Sequence, residues 1–379
     1  MRLPAHIARS CCSHIARSHS SRFVFPTHSR LASASTPLAR THTRTTTASA
    51  MSTVSNTRPA STAATTTTPL TPFRTHTPSP TALPSTPLTH VFWDTRTSTW
   101  TYLVVDPSTR RAAIIDSVLD FDPQTNTVST ESADGLVAFI EREGITVERI
   151  LETHAHADHL TAAAYLQLRL SPEGGPKIPI GIHRGIRATQ AHFAKLYDVP
   201  MSDLEGAFDE VYDEGDEITV GECKGQVWHL PGHTECSGGY VWGEYVYTGD
   251  SVLLPAIGSA RVDFPAGSAS RLYSSSQRLL SLPSHFRLFS GHNYPSSPLF
   301  EEGNRCSATV REQRELNRHF KEGTGKEEFV RLREERDRQL QEPRLLHQSL
   351  QVNIRAGRLP KNSQGKPFFR IPVHAPAIL

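Results

Sequence analysis

No aspartate or glutamate occurs between Met1 and His90 of this 379-residue chain; every acidic residue lies from Asp94 onward. The overall charge of +2, with histidine neutral, hides that asymmetry. Through the same stretch Arg2, Arg9, Arg17, Arg22, Arg30, Arg40 and Arg44 recur among Ser, Thr and Ala. An acid-free, Arg- and Ser-rich amino terminus has the composition of a mitochondrial transit peptide, expected here over residues 1–44. The alternative, a basic tail for a polyanion, fits less well because the arginines are dispersed rather than clustered. Residues 45–89 carry few large apolar side chains and many Ser, Thr and Pro, so burial cannot offset chain entropy; they are expected to be a disordered linker. Met51 lies inside it and could start a shorter, cytosolic form.

Long apolar runs are also missing. None approaches the roughly 18 residues a membrane-spanning helix needs, so a membrane is not an expected partner, and the dispersed arginines make nucleic acid an unexpected one as well. Of five cysteines, Cys11 and Cys12 fall in the presequence, leaving Cys223, Cys236 and Cys306. An odd, unpatterned set excludes a disulfide scaffold and fits a reducing compartment. Cys236 reads as a small buried apolar side chain.

From His90 the composition becomes that of a folded domain, expected over 90–300, with a helical extension over 301–379 packed on it. Trp100–Val105 and Ala112–Ile115, separated by Asp106-Pro107-Ser108, predict a hairpin. A helix capped by Ser132 and ended by Gly144 follows, then a strand at Val147–Leu151 and a helix over Leu160–Leu170. Further strands are predicted at Ile178–Ile182, Glu217–Val220, Gln226–Leu230, Gly239–Trp242, Tyr245–Tyr247 and Arg287–Phe289, and helices at Ala269–Leu280, Cys306–Lys321 and Glu327–Arg338. Hairpins first and alternation later suit a sheet sandwich with outer helices, an α+β class, rather than a doubly wound parallel sheet.

The densest chemical signal is Thr153-His154-Ala155-His156-Ala157-Asp158-His159, just after a predicted strand. Imidazole nitrogen and carboxylate oxygen are the donors that borderline first-row metals prefer. In an extended backbone His154 and His156 point the same way, and Asp158 and His159 would open the next helix toward the same spot. Downstream, His233, Asp250 and His292 each follow a predicted strand, and Gly232, Gly249 and Gly291 directly precede them. A glycine there permits a sharp turn at a strand end. His183, His192, His229, His285, His319 and His347 lack such contexts and are read as ordinary core or surface histidines.

HxHxDH followed by single His, Asp and His ligands resembles the metallo-β-lactamase superfamily, over roughly His90 to Tyr294. The resemblance implies an αββα sandwich with metal at one edge. Two branches compete. Glyoxalase II-like thioester hydrolases use all these residues for two metals, zinc or iron. Persulfide dioxygenases hold one Fe(II), which on this chain would fall to His154, His233 and Asp250, leaving His156, Asp158, His159 and His292 as surrounding groups or second-metal ligands.

The dioxygenase branch is favoured by Ala157, where the hydrolases carry a bulkier aromatic, and by Gly258-Ser259-Ala260-Arg261-Val262-Asp263-Phe264, similar to its GCGRTDF segment. His292-Asn293-Tyr294 is similar to its HDY segment, and Asn353-Ile354-Arg355-Ala356-Gly357 to its NxRxG element. By that resemblance Arg261 and Tyr294 would contact glutathione, although Arg261 could equally pair with Asp263. Ser259, Ala260, Glu235 and Ala356 depart from the pattern. The implied activity is oxidation of glutathione persulfide by O₂ to sulfite and glutathione in sulfide catabolism, in the mitochondrial matrix, with a homodimer as a further expectation. Two imidazoles and a carboxylate on one face of an ion leave about three positions open. A non-enzymatic binding module would not need the full donor set.

Overall fold

A computed structural model describes residues 67–294 and 305–373. Its first sheet has seven strands in the order β1 (Arg74–His76), β2 (Leu88–Asp94), β3 (Thr99–Val105), β4 (Arg111–Ile115), β7 (Thr146–Leu151), β9 (Ile180–His183) and β10 (Glu210–Tyr212). Pairing is antiparallel from β1 to β4 and parallel from β4 to β10. The second sheet runs β11 (Glu217–Val220), β12 (Cys223–His229), β13 (Gly238–Trp242), β14 (Tyr245–Gly249), β15 (Arg287–Ser290) and β16 (Ser307–Thr309). A small third sheet joins β5 (Val118–Asp122), β6 (Thr127–Ser129) and β8 (Leu160–Thr161).

Strand β3 shows why the sheets stack. Side chains alternate in direction along a strand, and all seven of its residues are buried. Trp100, Tyr102 and Val104 enter the layer between the sheets, against Tyr240, Trp242, Tyr247 and Phe289. Leu103 and Val105 face the other way, into the layer that holds Leu136, Val137, Phe139 and Ile140 of α1 (Glu131–Arg142). Helices α2 (Ala163–Leu170) and α3 (Ile186–Leu196) complete that cover. On the far side, Val246 and Leu288 pack with Leu272 and Leu279 of α4 (Ala269–Leu280), with Val310 of α5 (Val310–Leu316) and with Phe329 of α6 (Lys326–Asp337). The order helix, sheet, sheet, helix is the expected αββα sandwich. Tyr hydroxyls in the middle layer are satisfied: Tyr247 meets Thr89 Oγ1 at 2.6 Å, and Tyr102 donates to Ser290 O at 2.5 Å.

Several local expectations are corrected. The linker expected over 45–89 stops early, because Leu70 N donates to Gly135 O, β1 pairs with β2, and β2 already begins at Leu88. Residues 45–66 lie outside the described residues, as do residues 1–44, where a transit peptide is expected, and the part of the domain boundary at 295–304. Ser132 does not cap α1. Thr130 precedes that helix, while Ser132 N and Oγ donate to Asp120 at 2.8 and 2.6 Å. The helix predicted from Leu160 begins at Ala163, because Leu160 and Thr161 pair with β5. Ser307–Thr309 adds an edge strand instead of starting a helix, and α5 then opens on a Thr309/Glu312 capping box. Helices α3 and α7 (Leu346–Asn353) were not predicted.

Trp242 is fully buried between the sheets. Trp242→Ala is expected to destabilise the domain by about 3–5 kcal/mol, read as a lower urea midpoint; a loss below about 1 kcal/mol would contradict this packing account.

Candidate metal centre

Parallel pairing of β4 with β7, and of β14 with β15, brings the carboxyl ends of these strands to one edge of the sandwich. Every sequence-predicted ligand leaves one of those ends or, for His233, the loop after β12. Gly232 and Gly249 hold positive φ values of 141° and 49°. A side chain on Gly232 would meet the Leu272 backbone at 2.3 Å. Gly291 has no such φ; its requirement is closeness, since a Cβ there would lie 2.6 Å from Asp250 Oδ1. The turn expected at Gly291 is therefore a close approach instead.

The HxHxDH segment does not open a helix at Asp158. It is a loop pinned from two sides. Asp116, just past β4 with φ 53°, accepts from Thr153 N at 2.7 Å and Thr153 Oγ1 at 2.8 Å. Asn353 donates to His156 O at 2.7 Å and His159 O at 2.8 Å, and accepts from Thr161 N at 2.9 Å. That asparagine belongs to the carboxy-terminal NxRxG-like element.

Carbonyl partners assign the imidazole tautomers, since a carbonyl only accepts. His233 Nδ1 donates to Arg261 O at 2.7 Å, His159 Nδ1 to Leu160 O at 3.2 Å, and His292 Nδ1 to Ser98 O at 3.0 Å. Thr153 Oγ1 already donates to Asp116, so its lone pair takes the Nδ1 proton of His154 at 3.0 Å. For His154, His233 and His159 this leaves Nε2 for an ion, the arrangement in which an outer partner orients a metal-binding imidazole, whereas His292 Nε2 lies 3.2 Å from Asp158 Oδ2. His156 differs: its Nε2 lies 3.1 Å from Asp116 Oδ1 and 3.5 Å from Glu152 Oε2.

Donor atoms of His154, His233 and Asp250 all lie within 4.8 Å of one another. The same holds for His156, Asp158 and His292, and for Asp116, Glu152 and His156. Asp250 Oδ1, His159 Nε2 and His156 Nδ1 are buried without a hydrogen-bond partner. An orphaned buried polar atom costs about 1–3 kcal/mol, and several beside each other mark a place that a cation completes. The donors fit a metal.

Electrostatics divides the histidines. Burial, and then the neighbouring imidazoles of His156 and His233, push His154 well below the ordinary range. Burial also lowers His233, and burial with His156 lowers His159 to about 4. For His156 burial opposes charge, but the Asp116 carboxylate outweighs it and the pKa rises; Asp158 and Asp250 do the same for His292.

Beside these donors opens a cavity of about 300 Å³, within reach of small-ligand pockets. Asp158, His233, Asp250 and His292 line it together with Phe264, Arg261, Tyr294, Arg333 and Arg336. Arg261 does line it, but its guanidinium donates to Asp263 at 2.6 and 2.5 Å and to Gln341 O at 2.9 Å. Tyr294 stacks on His292 with ring centroids 6.0 Å apart. Sequence reading missed Asp116 and Glu152, although Asp116 follows a strand end just as Asp250 does. In the helix predicted at Glu327–Arg338, where Arg alternates with Glu as on a solvated face, Arg333 and Asp337 are buried and paired. His319, read as ordinary, accepts from Ser259 N at 2.9 Å.

The metallo-beta-lactamase superfamily model matches residues 94–292, and the chain belongs to that superfamily, whose members are mostly hydrolases. It is 42% identical over 76% of its length to a "Beta-lactamase hydrolase-like protein" of Xylella fastidiosa, of which it spans only 65%. It is 36% identical over 75% of its length to "Glyoxylase B2" of Dictyostelium discoideum, spanning 96% of that protein. Similarity to the bovine (Bos taurus) "Persulfide dioxygenase ETHE1, mitochondrial" is lower, at 26% over 70% of this chain and 87% of the other. Among solved structures, ETHE1 from Myxococcus xanthus superposes with a TM-score of 0.56 at 28% identity, over 71% of this chain and 99% of that one.

Asp116→Asn keeps the shape of the side chain but removes the charge facing His156 and one of the acceptors for Thr153. Metal affinity is expected to fall about 10–100-fold, measured by competition with a chelator. Unchanged affinity would mean that Asp116 does not organise the loop.

Proposed function

We propose that this protein is a mononuclear iron dioxygenase for glutathione persulfide, with His154, His233 and Asp250 as the ligands. One observation carries the reading: the two predicted donor sets are not equivalent. His292 has both ring nitrogens engaged, Nδ1 on Ser98 O and Nε2 3.2 Å from Asp158 Oδ2, and His156 Nε2 faces Asp116 and Glu152. Against burial, carboxylate neighbours raise the pKa of both rings, which opposes the proton loss that coordination requires. His154 and His233 are neutral, with Nδ1 committed elsewhere and Nε2 directed at the Asp250 side. A single ion at that triad displaces no imidazolium proton.

A ferrous ion held there supplies a redox-active centre at which a soft persulfide sulfur and dioxygen can react. In balance, one persulfide, one O₂ and one water give one thiol, one sulfite and two protons. The chain's own part is to aim the ligands, exclude bulk water with Phe264, Leu253 and Ile257, and admit the substrate from the side where the arginines lie. Similarity to ETHE1 proteins supports the same reading.

A dinuclear glyoxalase II-like hydrolase is the second reading, favoured by the assembled His156, Asp158 and His292 set and by the glyoxylase relative. Oxygen-electrode traces separate the two. Wild type is expected to consume O₂ with glutathione persulfide and His154→Ala to lose at least about 100-fold of that rate. Cleavage of S-lactoylglutathione with no O₂ uptake would give the site to the hydrolase.

The acid-free amino terminus supports action in the mitochondrial matrix. Residues 1–44 fused to a fluorescent protein are expected to direct it to mitochondria; a diffuse cytosolic signal would remove that placement.

A further inference from the structure

A second cavity, of about 340 Å³, shares no lining residue with the one beside the metal donors. Its walls come from Asp203 in the segment after α3, from Gln351 and Arg355 at the end of α7, and from Lys361 and Arg370 beyond it. Three cations and one carboxylate thus line it, and among the described residues Arg355, Lys361 and Arg370 form no ion pair. Gln351 fixes two of these cations. Its amide accepts from Arg370 N and donates to Arg370 O, each at 2.9 Å, while its carbonyl accepts from Arg355 Nη1 at 2.6 Å. Arg370 Nη1 is steadied by Tyr197 O at 3.2 Å and Asp198 O at 2.8 Å. The Arg355 Nε and Nη2, which form the side fork of its guanidinium, have no partner among the described residues. Yet Arg355 is only 9% exposed. Burial pulls its pKa below the ordinary guanidinium value; Asp203 partly offsets this, and Arg370 adds to it. A buried cation ordinarily stands with a carboxylate. This one stands with a carbonyl and an open fork.

We propose that this cavity is a binding site for a phosphate group, with the side fork of Arg355 as its anchor and Lys361 and Arg370 as flanking cations. The inference stands apart from the reading of the metal centre. Shape and charge both select the ligand. A planar fork matches two oxygens of one oxyanion with parallel N–H···O bonds. Three cations against one carboxylate leave a surplus that a dianion cancels and a monoanion does not. The volume admits a free phosphate or the phosphate of a small ester. Bound there, the anion fastens Lys361 and Arg370 of the carboxy-terminal tail to Arg355. Arg355 stands two residues after Asn353, whose amide donates to His156 O and His159 O, so the site secures the element that braces the metal loop.

The test titrates metal-loaded full-length protein by calorimetry at constant ionic strength, with inorganic phosphate, with glycerol 3-phosphate and with nitrate as a monoanion. Wild type is expected to bind phosphate at least about tenfold more tightly than nitrate, and Arg355→Gln to lose at least about tenfold of the phosphate affinity, the scale of one charge-assisted bidentate contact. Arg355→Lys should keep part of it, since a lysine retains charge but not the fork. Because Arg355 is buried, the exposed Lys361→Gln is the second variant. It should weaken phosphate several-fold while its unfolding midpoint in phosphate-free buffer matches wild type. Tighter binding of the ester than of the free ion assigns the site to a phosphorylated small molecule; the reverse order assigns it to phosphate itself. Phosphate held at the metal would instead survive both cation variants and be lost in His154→Ala. That result, no binding to wild type, or an affinity unchanged in Arg355→Gln (in Lys361→Gln, should the first variant not fold) overturns the proposal.

Discussion

The structure turns on a cluster of imidazole and carboxylate donors that is buried before anything is there to satisfy it. Burying a polar atom without a partner is unfavourable, and this chain does so at Asp250 Oδ1, His159 Nε2 and His156 Nδ1 within one small region. The cost is tolerable because two sheets and their helices fix the loops around it. A cation held by His154, His233 and Asp250 makes the Asp250 carboxylate a ligand instead of a liability. Stability and function are thus coupled through one ion.

Much of the remaining architecture is a set of braces for that cluster. The carboxy-terminal part supplies two of them. Asn353 ties the backbone of the HxHxDH loop through His156 O and His159 O. Helix α6 holds the 259–262 segment through Arg333 and Asp337, and that segment presents the Arg261 carbonyl that orients His233. Arg261 therefore acts in this structure through its backbone as well as its side chain. The third brace is Asp116, which fixes Thr153 and, through it, the tautomer of His154.

The sandwich and the principal donors could be read from sequence because their signals are local. The β-rich run Trp100–Val105, and donors placed just after strand ends at His154, Asp250 and His292, need no tertiary knowledge. What escaped depended on distant partners. Leu160–Thr161 looks helical until β5 pairs with it, and Ser307–Thr309 until β15 does. Linker composition at 67–89 concealed β1, whose three residues gain their stability from β2. Arg333 and Arg336 alternate with glutamates as a solvated helix face would. Only the fold shows that one is buried against Ser259 while the other turns to the cavity.

Anomalous diffraction at the iron edge, from crystals grown with Fe(II) under anaerobic conditions, addresses the central claim most directly. The account predicts one ion, bound by His154, His233 and Asp250, with His156 still turned to Asp116. Two ions sharing Asp250, with His156 and His292 both drawn into coordination, would contradict it.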